Sequence, residues 1–120
     1  MLRRTGSMLG VVLTLLATGA AGVGAHHGWS GYDSSKTLDL SGVIREAGYE
    51  HPHTYLRLEV PEKVWLVVLA PPSRMERRGI PRAMLQVGAA VRVVGYPHRT
   101  EPDEMRAERI TLNGKTVELR

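Results

Sequence analysis

The sequence predicts an all-β fold, and three observations predict it. Apolar and polar residues alternate over residues 37–46 and 55–60, the period of a half-buried strand. After the leader, only residues 71–79 carry helix start and stop signals. The order is three strands, one short helix, two strands and a closing hairpin arm. Three strands, a helix and two strands is the order of a small OB-like Greek-key barrel of five to six strands. Closure suits a short chain because it removes exposed sheet edges. The alternative is an open five- or six-stranded sandwich.

The first segment reads as an N-terminal signal helix, residues 1–25. Arg3 and Arg4 give a positive start, Met8 to Ala17 is a short apolar run, and Val23 and Ala25 fit the small-x-small cleavage pattern. Export to the periplasm with cleavage after Ala25 is the expectation. The competing reading is an uncleaved anchor, since Met8 to Ala25 is uncharged and close to the minimum length of a span. The residues after Arg3-Arg4 lack the apolar pair of a twin-arginine signal, so the general export route is expected. No cysteine is present, which excludes disulfides, thiolate metal sites, cysteine nucleophiles and lipid attachment at cysteine. Of 16 basic residues the leader holds two, and of 12 acidic residues none. The mature charge is therefore 14 − 12 = +2, which demands no polyanionic partner.

Residues 26–36 form a polar arm rich in Gly and Ser, with Trp29 and Tyr32 embedded. The barrel domain is expected over 37–120. Its first strand, Thr37 to Glu46, places Leu38, Leu40, Gly42 and Ile44 on one face, and Gly42 in mid-run suggests a bulge or a close approach. Tyr55 to Val60 alternates, with Leu56, Leu58 and Val60 inward. Val64 to Leu69 is a continuous apolar strand. In the helix, Ser73 and Glu76 have capping-box spacing, and Gly79 is the stop. Pro81 to Leu85 is a short turn, Ala90 to Tyr96 the next strand, and Met105 to Leu112 the one after it. Asn113-Gly114, before Thr116 to Leu119, is a type I′ hairpin signal.

A resemblance spans the mature chain. It rests on Ala25-His26-His27-Gly28-Trp29, Ser41-Gly42-Val43-Ile44, Glu50-His51-Pro52-His53, the run Leu69 to Met75, Gly95-Tyr96-Pro97-His98-Arg99 and the run Met105 to Ile110. These resemble a family of small exported bacterial proteins, chiefly proteobacterial, known only as a domain of unknown function. The resemblance implies a periplasmic small β-barrel and no enzyme class. Members start with a His-His pair, and many have Asn-Pro-His where this chain has His51-Pro52-His53. His51 is therefore the reserve among the histidine candidates.

Histidine carries the candidate chemistry. Imidazole suits copper and zinc. His26, if N-terminal, chelates Cu(II) through its amine and ring, and His27, His53 and His98 complete the candidate metal set. The alternative for each histidine is an ordinary surface residue. A second candidate is basic: Trp29, Arg74 and Arg77 as a ligand surface for a partner protein or acidic envelope polymer. Aromatics beside positive charge also suit single-stranded nucleic acid, but an exported protein meets little of it. No nucleophile elbow, His-Glu-x-x-His or phosphate loop is present, so a non-enzymatic binding protein is expected. It is read as a monomer that touches the membrane only through its signal peptide.

Overall fold

A computed structural model describes residues 28–120. The expected signal peptide 1–25 and the candidate ligands His26 and His27 lie outside the described residues. The strands are β1 (Leu38–Gly48), β2 (Tyr55–Glu59), β3 (Val64–Val68), β4 (Ala90–Pro97), β5 (Glu104–Leu112) and β6 (Lys115–Glu118), with one helix, α1 (Pro72–Arg77). Their order is β3-β2-β1-β4-β5-β6, and β3 also pairs in parallel with β5. That pairing closes a five-stranded barrel, with β6 an added strand beyond it. The expected barrel is therefore formed, and the open sandwich is not.

Strand alternation works as expected in β2, where Leu56 and Leu58 are buried and Arg57 and Glu59 are exposed. Two bulges break the alternation elsewhere. In β1, Ile44 pairs with Leu58 and Glu46 with Arg57, so Arg45 is the extra residue. The inward residues change from Leu38, Leu40 and Ile44 to Ala47 and Tyr49. In β5, Ala107 pairs with Gly95 and Arg109 with Val94, leaving Glu108 extra. The inward residues change there from Met105 and Ala107 to Ile110 and Leu112. Gly42 marks a close approach rather than a bulge: a Cβ there would overlap the Glu59 carbonyl. A bulge adds one residue to one strand and so reverses which side chains face inward.

The helix starts differently from the expectation. Ser73 and Glu76 form no capping box; the position before the helix is Pro71, with no side-chain cap. Pro72 occupies the first helical position, where its missing N–H costs nothing and its fixed φ already fits. The helix therefore starts ahead of Ser73, which becomes an exposed first-turn residue. The stop is as expected. Gly79 has φ +86°, its N–H donates to Glu76 O at 3.0 Å, and Ile80 N–H donates to Met75 O at 2.8 Å. This is the paired bonding of a Schellman motif. Met75 and Ile80 seal one end of the barrel core. The hairpin turn holds Asn113 at φ 53° and Gly114 at φ 73°, as a type I′ turn requires.

Helix α1 also covers the outer edge of β6. Arg78 Nη1 donates to Glu118 O at 2.9 Å, Arg74 Nη1 to Leu119 O at 3.3 Å, and Lys115 Nζ back to Gly79 O at 3.1 Å. Unpaired edge carbonyls are thereby taken up by side chains. The N-terminal arm runs along the end of β4: Asp33 N–H donates to Pro97 O and Arg99 N–H to Gly31 O, both at 2.9 Å.

Candidate functional site

The β1–β2 loop carries His51, Pro52 and His53, and the β4–β5 loop runs from His98 to Asp103. Beside them, over the outer faces of β2 and β3, lies a cavity of about 360 Å³. Leu66 and Val68 of β3 and Tyr55 and Arg57 of β2 line it from the sheet; Tyr32, His53 and Glu104 line it from the arm, the loop and the start of β5. Glu46 anchors the β2 side, accepting from Tyr55 Oη at 3.0 Å and from Arg57 Nε at 3.1 Å.

Glu104 is the best-held polar group in this cavity. Tyr32 Oη donates to Glu104 Oε2 at 2.7 Å. His98 Nε2 stands 3.8 Å from the same oxygen, and its ring meets Tyr32 edge-on at 5.1 Å. Among the described residues no hydrogen bond falls on Oε1. The state of His98 follows from its neighbours. Its Nδ1 accepts backbone N–H groups from Thr100 at 3.1 Å and Glu101 at 3.0 Å. A backbone N–H can only donate, so Nδ1 holds the lone pair and the ring hydrogen of the neutral imidazole is on Nε2. In that state the Nδ1 lone pair of His98 is engaged by the loop amides. For His98, an expected metal ligand, the structure shows Nδ1 taken up by the loop amides and Nε2 directed toward Glu104, beyond hydrogen-bond distance.

Burial raises the Tyr32 hydroxyl well above the ordinary tyrosine range, and its bond to Glu104 and the charge of Glu104 push the same way, against Arg106. A folded value raised above the ordinary one of about 10 gives stability that is complete below that pH and lost as pH climbs past it. Tyr32→Phe is therefore expected to destabilise the protein at about pH 8, with a smaller deficit at about pH 11. Urea midpoints at the two pH values check this; an unchanged deficit would show that folding does not raise the Tyr32 hydroxyl.

The other expected residues scatter. His51 is exposed and does not line the cavity, so it and His53 do not face one site. Arg77 is exposed, with no hydrogen bond or ion pair among the described residues. Arg74 is used on the β6 edge. Trp29 packs on the barrel, its ring 4.3 Å from the Arg106 guanidinium and 4.6 Å from that of Arg120. Among the described residues no group of three or more His, Asp or Glu is placed to hold a metal ion, and no helix is long and apolar enough to cross a membrane. Sequence reasoning missed Glu104 and Arg106. Glu104 sits in an unremarkable acidic turn. The change of inward parity between Ala107 and Ile110 was the available signal that β5 is irregular near Arg106.

A closed barrel with a cavity over β2 and β3, flanked by the β1–β2 and β4–β5 loops, is an OB-type barrel protein with a candidate ligand site on the face that fold commonly uses. By sequence the chain belongs to a family of unknown function, DUF6152, which matches residues 13–105. Among solved structures, a chain in the crystal structure of TiaS in complex with an isoleucine tRNA and ATP is similar, with 21% identity and a TM-score of 0.48. The match covers 74% of this chain and 20% of that one, so the chain spans about a fifth of that chain's length. No curated protein matches the chain.

Proposed function

We propose that this protein is an exported, non-enzymatic periplasmic barrel that binds a divalent metal ion, copper or zinc, at the cavity of His53 and Glu104. The observation that carries the reading is that an imidazole and an oriented carboxylate line one cavity. Carboxylate oxygen with imidazole nitrogen is a donor set that suits zinc and copper. Tyr32 holds Glu104 by a hydrogen bond, as an outer partner does a metal-binding carboxylate. His26 and His27, directly before Gly28 in sequence, would supply the remaining donors. The leader pattern supports export.

Calorimetric titration of Cu(II) and Zn(II) into the chain beginning at His26, with electron paramagnetic resonance for copper, tests this. One-to-one binding is expected, weakened about tenfold or more by His53→Ala, by Glu104→Gln and by one extra alanine before His26. Loss with the extra alanine alone would reduce the site to a terminal chelate. Absence of binding would overturn the proposal. The second reading is a metal-free module docking a partner protein or acidic polymer. It has less support, because Arg74 and Arg78 are engaged with the β6 edge and only Arg77 of the helix arginines is unengaged among the described residues.

A further inference from the structure

A second cavity, about 240 Å³, opens between the N-terminal arm and β4. Trp29 and Tyr96 give it aromatic walls, Ser30 and Ser34 sit on the arm side, and Arg99 and Arg120 supply charge. Among the described residues no Asp or Glu lines it. Arg99 Nε donates to Ser30 O at 3.0 Å, which anchors that guanidinium at the rim and leaves its two terminal nitrogens available. Arg120 Nη1 is 3.6 Å from Glu108 Oε1, whose other oxygen accepts from Tyr96 Oη at 2.7 Å. Asp33, near Arg99, is already engaged by the N–H and hydroxyl of Ser35.

Behind the Trp29 wall lies a third guanidinium. Arg106 is 5% exposed, and its Nη1 is buried with no hydrogen-bond partner among the described residues. Among those residues it makes no ion pair either. Its charge meets aromatic rings, Trp29 at 4.3 Å and Tyr32 at 5.9 Å. Ring quadrupoles attract a cation but do not neutralise it. Burial lowers the affinity of Arg106 for its proton, and the nearby charges of Arg74 and Arg120 act in the same direction. A buried charge without a counter-ion is costly, and a negative group in the adjoining cavity would offset it.

We propose that this cavity is an oxyanion site. It takes a phosphate or carboxylate group of a small ligand between Arg99 and Arg120, with the Ser30 and Ser34 hydroxyls as further donors and Arg106 adding field from behind Trp29. Guanidinium forks match such groups in a bidentate manner. Tyr32 lines both this cavity and that of the proposed metal centre, and the proposed ligands of the two differ.

The test is NMR titration of the full mature chain in the presence of chelator, reading the Trp29 indole N–H. The probes are sodium phosphate and sodium acetate, each at ionic strength held constant with sodium chloride. Saturable movement with either probe is expected, and the tighter one identifies the group. Arg99→Gln should weaken binding about tenfold, while Lys36→Gln, which removes an equal charge outside the cavity, should change it by less than about twofold. Arg99→Lys keeps the charge and loses the fork. It should fall between wild type and Arg99→Gln, and it serves if the glutamine variant does not fold. Non-saturable shifts with both probes, or equal weakening by Arg99→Gln and Lys36→Gln, would overturn the proposal.

Discussion

Trp29→Ala is expected to cost about 3 kcal/mol of unfolding free energy, near the low end for deleting a large aromatic from a packed site. The ring meets Arg106 at 4.3 Å, Arg120 at 4.6 Å, and Tyr32 and Tyr96 edge-on at 6.5 and 6.2 Å. Losing it removes the apolar contact area that holds the arm on the barrel, and it leaves a buried guanidinium without its ring face. The second part is separable. Arg106→Met should be far less harmful in the Trp29→Ala background than in the parent, because the charge being removed no longer has a partner. Urea midpoints of the two single variants and the double variant measure this coupling. A loss below about 0.5 kcal/mol for Trp29→Ala, the range of ordinary surface changes, would mean that the arm is not held by this ring.

Gly95→Ala is expected to be comparably severe, at about 3 kcal/mol. Gly95 lies in β4, opposite the bulge at Glu108. A Cβ there would overlap the Arg106 carbonyl and crowd Ala107 Cα. Both obstacles are backbone, so no side chain can swing away. The two strands must separate, and their ladder is the contact that positions Glu104, Arg106 and Glu108. Amide exchange across β4 and β5 should accelerate together with the fall in urea midpoint. A variant as stable as the parent, with slow exchange there, would refute the close approach.

Much of the fold was legible because its signals are local. The alternation of Leu56 and Leu58 with Arg57 and Glu59 requires only neighbours in sequence, as does the Asn113-Gly114 turn. Gly79 was legible as a helix stop because few other residues adopt its φ of +86°. The capping box at Ser73 misled because two prolines had already opened the helix. The candidate site was legible only in part. His53 lines the cavity, but Glu104, which lines it too, opens β5 and carries no motif. His98 is a candidate ligand by residue type alone. Two loop amides, invisible in the sequence, take its acceptor nitrogen. The arginines of residues 74–78 looked like a charged surface, and Arg74 and Arg78 turned out to cover a strand edge.

By itself, then, the sequence determined the class of fold, the order of its elements and the turns between them, because each depends on residue periodicity or on one residue's backbone preference. Only the tertiary structure decided which side chains share a cavity. Barrel closure through β3 and β5 brings the start of β5 beside the outer face of β3, and the bulges at Arg45 and Glu108 reverse the facing of every residue beyond them. Tyr32, His53 and Glu104 meet because of that closure. Arg106 lies under Trp29 because the arm folds back along β4 over β5, a long-range contact that no pattern of neighbouring residues encodes.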